Sequence, residues 1–132
     1  MFNFTGTKPK DIGVHDGKLA KCPPKPNCVS SYATNPLQRV EPLRFTGDID
    51  QQFDQLAEIL NSIKGITIQN RTKNYLYAEC KSSLMGFIDD LEFYWDEKAG
   101  LCHVRSASRL GFSDMNVNRR RVEEIRKRLT AK

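Results

Sequence analysis

All six prolines of this chain fall in its first 42 positions: Pro9, Pro23, Pro24, Pro26, Pro36 and Pro42. Proline fixes φ and donates no backbone hydrogen bond, so a region where it clusters is extended or looped. Residues 43–132 contain none. The expected organisation is one domain over residues 1–132, with an extended proline-rich arm at 1–38 and an α+β core at 39–132. In RVEPLRF (39–45), Pro42 restricts any strand to a sheet edge.

Periodicity fills in the core. Ile49, Phe53, Leu56, Leu60 and Ile63 step by four, three, four and three, which makes one apolar helical stripe. Asp48 or Asp50 sits where a cap belongs, and Gly65 stands just past the end. Four segments then read as strands: 66–72, 75–83, 91–97 and 101–108. A last helix starting near Ser113 or Asp114 turns Val122, Ile125 and Leu129 inward. The order β-α-β-β-β-β-α predicts a two-layer α+β fold, an antiparallel sheet with helices packed on one face.

Alternation assigns the two sheet faces. Ile66, Ile68, Leu76, Ala78, Cys80, Leu91, Phe93, Trp95, Cys102 and Val104 face the helices. Gln69, Arg71, Tyr75, Tyr77, Glu79, Lys81, Glu92, Tyr94, Asp96, His103, Arg105 and Arg109 face away. That second face is either open to water or covered by the arm.

Hydrophobic residues make up 39% of the chain and charged residues 28%, too apolar a balance for disorder. No apolar run approaches the roughly 18 residues of a membrane span. MFNFTGTKPKDIG has no signal-peptide h-region. The expected setting is therefore soluble and cytoplasmic. The net charge of +5 is uneven: residues 48–97 carry four basic and ten acidic side chains, residues 105–132 nine and three. The basic last helix raises nucleic-acid binding as an alternative. It is disfavoured, because Tyr75, Tyr77 and Tyr94 share a face with acids that repel phosphates.

The stretch CPPKPNCVSS (22–31) separates Cys22 and Cys28 by five residues, three of them proline. Zinc sites use closer pairs and a second ligand pair, so no metal is expected. No C-x-x-C redox motif is present. A disulfide is within geometric reach, but without an export signal reduced thiols are the default. Cys22 and Cys28 are thus structural or reactive thiol candidates. Cys80 and Cys102 read as small core residues.

Residues 105–121, RSASRLGFSDMNVNRRR, hold the densest polar pattern. Ser106 and Ser108 continue the inward phase of a strand, and Asn118 and Arg121 share the inward stripe of the last helix. With Arg105, Arg109 and Ser113 they form a candidate ligand-binding set. Asp89, Asp90 and Glu92 are the acidic partners. If Asp89 or Asp90, from the preceding loop, reaches Arg121, the cluster is an internal network; otherwise it is an anion site. No triad, Walker or Rossmann pattern exists. The residues therefore point to a binding or accessory domain for an anionic small molecule or a protein partner, with no cofactor. The alternative is an enzyme using Asp89/Asp90 or Cys28, with the arginines as anion holder.

Three blocks, CPPKPNCVSS, YAECKSSLMGFIDDLEFYWDE and HVRSASRLGFSDMNVNRRRVEEIR, resemble the hallmark blocks of a bacterial and plastid family, domain of unknown function 1499 (DUF1499). FTGTKPKDIGVHDGKLAKCP resembles its cyanobacterial branch. The positions carrying the resemblance are Cys22, Pro23, Pro26, Asn27, Cys28, Ser30 and Ser31, then Asp89, Asp90 and Glu92. In the last block they are Arg105, Ser106, Ser108, Arg109, Gly111, Ser113, Asp114, Asn118, Arg119 and Arg121. The resemblance implies no established activity. Two departures stand out: some relatives carry a preceding membrane segment that this chain does not show, and Cys80 replaces an aromatic or aliphatic residue.

Overall fold

The computed structural model describes residues 6–83, 86–111 and 113–131. The first five residues of the expected arm lie outside that description. Asp48 starts the first helix, α1 (Ile49–Asn61), by accepting hydrogen bonds from the amides of Asp50 and Gln51. Phe53, Leu56, Ile59 and Leu60 form its buried stripe. Gly65 then reverses the chain at φ +90°, and its carbonyl accepts the Lys81 amide at 2.8 Å. A Cβ at Gly65 would collide with the Lys81 carbonyl, so this close approach requires glycine.

Five antiparallel strands follow the order β1-β5-β4-β3-β2 across the sheet. They are β1 (Cys28–Ser30), β2 (Ile66–Arg71), β3 (Tyr75–Lys81), β4 (Ile88–Asp96) and β5 (Leu101–Ser108). The second helix, α2 (Val117–Thr130), packs beside α1 against β5. Leu76, Ala78, Cys80, Leu91, Phe93, Cys102 and Val104 are buried against the helices, where Val122, Ile125 and Leu129 meet them. Burying each large aliphatic or aromatic side chain stabilises the fold by about 1.5–3 kcal/mol. Trp95 is only partly buried and stacks on Phe45.

Three boundaries differ from expectation. The edge beside β5 is filled by Cys28–Ser30, not by 39–45. Pro42 has no amide to give, and that segment contributes only isolated bridges such as Leu43 with Cys102. The strand expected at 91–97 begins at Ile88, so Asp89 and Asp90 are ladder residues rather than loop residues. Finally, α2 begins three to four residues late. Met115 and Asn116 take left-handed backbone angles, and only then does the helix start. Asp114 still caps it from outside, accepting the Asn118 amide at 3.2 Å.

The middle of the face away from the helices is covered, while Gln69, Arg71 and Lys81 towards its β2 side stay exposed. Leu19 is buried against Tyr75 and Tyr77, with Ile12, Val14, Tyr32 and Tyr94 packed around them. Tyr32 stacks on His103 with ring centroids 3.9 Å apart.

Candidate functional site

The sheet divides the expected polar cluster into two. Odd and even residues of β4 and β5 point to opposite sides, so the set read from residues 105–121 cannot meet at one point.

On the helix side, Ser106 Oγ donates to Asn118 Oδ1 at 2.6 Å. Arg121 donates from Nη1 to Asn118 Oδ1 at 2.8 Å and to Ser106 Oγ at 3.1 Å. Its Nη2 donates to Asp89 Oδ2 at 2.8 Å. The Asn118 amide nitrogen bridges Ser108 Oγ, Asp114 Oδ2 and the Asn27 carbonyl. Arg121 is therefore neutralised by a protein carboxylate. Ser113 stands apart from this network, exposed, with its hydroxyl near the Met115 amide.

On the other side, Arg109 grips Asp90 with two bonds of 2.9 Å, from Nε and Nη2. Its Nη2 also donates to Glu79 at 2.7 Å. Hydrogen bonding to Asp90 raises the Arg109 pKa against the cost of burial. Tyr77 donates to Asp90 and Tyr75 to Glu92, each at 2.6 Å. Burial, then these carboxylates, push both phenols well above the ordinary tyrosine value. Glu92 is fully buried, and burial raises its pKa; the Tyr75 hydroxyl, the Gly13 amide and Arg105 oppose the shift. Arg105 lies 3.7 Å from Glu92, an ion pair too long for a hydrogen bond, and donates to the Lys21 carbonyl at 3.3 Å.

Cys22 and Cys28 form a disulfide with their Cα atoms 5.6 Å apart. The expectation of reduced thiols is thereby corrected. The spacing that suits no zinc site closes a loop of the right reach for a bridge. Burial pushes the Cys80 thiol up to about 11 and the Cys102 thiol higher still, so both are protonated, inert packing groups at neutral pH.

The strand-to-helix turn between β5 and α2 forms one wall of a groove of about 570 Å³. The turn from α1 into β2, the end of β3 and the start of β4 form the rest. Ile63, Ile66, Phe87, Leu110, Met115 and Val117 supply apolar lining; Lys64, Lys81 and Arg120 supply positive charge, Asp114 and Glu124 negative charge, and Asp89 and Arg121 an ion pair. Leu110, Met115 and Val117 are exposed there, Met115 by 81%. Among the described residues, Lys64, Lys81 and Arg120 form no ion pair.

The chain matches the family described as protein of unknown function DUF1499 over residues 18–129. It belongs to the DUF1499 family. The matched span takes in the disulfide loop, β4, the groove and the side chains of both polar networks. No curated protein and no solved structure matches the chain. Among the described residues no helix is long and apolar enough to cross a membrane.

Two further features of this DUF1499 domain have no counterpart in the reading of the sequence. One is the groove, whose lining comes from four stretches of chain, 63–66, 80–82, 87–89 and 108–124. The other is a buried contact of Ser31 Oγ with His103 Nδ1 at 2.7 Å, across 72 residues. The Val104 amide also donates to Ser31 Oγ, at 2.9 Å, so this serine closes the end of the β1–β5 pairing. Burial lowers the His103 pKa, with Asp96 opposing the shift and Arg39 reinforcing it. The only signal in the sequence was the pair of serines after Cys28.

Proposed function

We propose that this chain is a binding module whose groove takes a small molecule with an apolar body and one anionic group. The observation that carries the reading is the pairing of apolar walls with Lys64, Lys81 and Arg120, none of them in an ion pair among the described residues, while the acids of the lining already have partners: Asp89 in Arg121, Glu124 in Arg128 and Asp114 in Asn118. A volume of about 570 Å³ falls within the roughly 300–1,000 Å³ typical of small-molecule sites. Arg120 also donates to the Met115 carbonyl at 2.9 Å, and a cation without a carboxylate partner beside apolar surface favours an anionic head on an apolar tail.

This reading keeps the strand-to-helix turn as the recognition element and changes which cations do the recognising. Arg105, Arg109 and Arg121 already face Glu92, Asp90 and Asp89, so they give less support to an added anion. The enzymatic alternative has less support too. Asp89 and Asp90 face opposite sides of the sheet, and Cys28 holds no free thiol. For nucleic acid, Tyr75 and Tyr77 are buried rather than offered for stacking. A disulfide supports an oxidising setting over the cytoplasm. Placement in a cyanobacterial branch rests on the N-terminal stretch that largely precedes the matched span.

Thermal melts with decanoate, with decylamine and with neither, at matched ionic strength, test the proposal. Decanoate is expected to raise the Tm in a saturable way, and decylamine is not. The Lys81→Glu/Arg120→Glu double variant should lose the decanoate response. Equal responses to both amphiphiles, or a response that survives charge reversal, would contradict it. Saturation by a peptide but not by decanoate would move the site to a protein partner.

A further inference from the structure

We infer that the Cys22–Cys28 disulfide is a redox-operated clamp on the groove, a regulatory reading that rests on the binding proposal above. The loop closed by the bond contains Pro26 and Asn27, and these two residues hold the strand-to-helix turn. The Ser108 amide donates to the Asn27 carbonyl at 2.9 Å, and the Asp114 amide donates to the Pro26 carbonyl at 3.3 Å. Asn27 Nδ2 donates to the Gly111 carbonyl at 2.7 Å. Asn118 Nδ2 donates to the Asn27 carbonyl at 3.2 Å. Ser108, Gly111 and Asp114 all line the groove. One covalent bond therefore fixes the two residues that order one groove wall.

The wall depends on that fixing. Gly111 sits at φ +86°, and Met115 and Asn116 are also left-handed, so the turn is held by its contacts rather than by regular structure. Opening the loop frees Pro26 and Asn27 on one side, while Cys28 stays paired with Ala107 in the sheet. Gln38 still donates to the Pro23 and Lys25 carbonyls. Reduction is thus expected to loosen the wall without unfolding the sheet.

The chemistry is thiol–disulfide exchange with an external dithiol. Cys22 is partly exposed and Cys28 is buried, so the dithiol's thiolate attacks Cys22 Sγ. Cys28 leaves as the thiolate and takes up a proton. The second thiol of the reductant attacks the mixed disulfide and releases Cys22. Two electrons and two protons pass to the protein, and the reductant becomes a disulfide.

Hydrogen exchange on the full chain, oxidised and reduced by dithiothreitol, tests the clamp without any ligand. The amides of Ser108 and Asp114 should exchange about tenfold faster or more after reduction, while Leu91 and Phe93 in β4 keep their protection. Decanoate affinity should fall about tenfold in parallel. The Cys22→Ser variant should match the reduced protein, and oxidised Asn27→Ala should reproduce the loss of affinity with the disulfide intact. Unchanged turn exchange on reduction would overturn the clamp. Faster exchange with unchanged affinity would overturn its control of the groove. If decanoate fails to bind the oxidised protein, the binding proposal falls, and the exchange result still decides whether the bond orders the wall.

Discussion

Asp89 and Asp90 are neighbours in β4, yet they serve opposite faces of the sheet: Asp89 accepts from Arg121 on the helix side, and Asp90 accepts from Arg109 on the other. Strand alternation forces this arrangement, which turns an apparent carboxylate pair into two separate ion pairs.

The two pairs differ in burial, so their removal should differ in cost. The Arg109 and Asp90 side chains are 5% and 1% exposed, those of Arg121 and Asp89 16% and 11%. Breaking a buried pair costs about 3–5 kcal/mol because a buried charge is stranded. Arg109→Met is expected to fall in that range. Arg121→Met should cost about 1.5–3 kcal/mol, the scale of a charge-assisted hydrogen bond. Urea unfolding of both variants measures this order, and the reverse order would contradict the assignment of faces. A double-mutant cycle with Asp89→Asn should show coupling to Arg121 and none to Arg109.

Phe93 tests the phase of the central strand. It is fully buried in the helix-side core, opposite Leu76 and Val104 in the neighbouring strands. Phe93→Ala should destabilise the protein by about 3–5 kcal/mol. An unchanged denaturation midpoint would place Phe93 outside that core.

His103 predicts a pH dependence. Burial lowers its folded pKa below the ordinary value of 6.5. The unfolded chain therefore holds more protons at this residue as pH falls through 6.5, and acid favours unfolding. Its contribution is fully present above the unfolded value and is lost on acidification through the window below it. The groups around the ring are Ser31, Tyr32, Asp96 and Arg39. Stability measured between pH 7.5 and 5.5 should fall more steeply in the wild type than in His103→Gln. Parallel curves would show that His103 titrates alike in both states.

Local pattern was enough for most of the core. The stripe from Ile49 to Ile63 and the alternation from Leu76 to Val104 depend on fixed repeats of three to four and of two, and both follow from backbone geometry. Strand alternation placed Ser106 inward and the helical period placed Asn118 inward, where they meet. Local pattern did not give the first strand, because Cys28–Ser30 is three residues long and earns its place only by pairing with β5. Nor did it locate the start of α2, since the left-handed backbone at Met115 and Asn116 has no glycine to announce it. The Asp89–Arg121 contact spans 32 residues and the Asn27–Gly111 contact 84. An acid from the 89–90 pair reaching Arg121 is one of the two alternatives the sequence leaves open, but spacing alone does not choose between Asp89 and Asp90, and it carries no record of the Asn27–Gly111 contact. The disulfide escaped for a different reason: the default was set by compartment rather than by the reach of the loop.

The most direct test of the binding account is a titration of the isotope-labelled, oxidised protein with decanoate, followed by amide and methyl chemical shifts. The account predicts saturable shifts concentrated at Ile66, Lys81, Leu110, Val117 and Arg120, with Tyr75, Tyr77 and Glu92 on the far face unmoved. Shifts confined to the far face, or none that saturate, would contradict the assignment of the groove as a site for an anionic ligand with an apolar body.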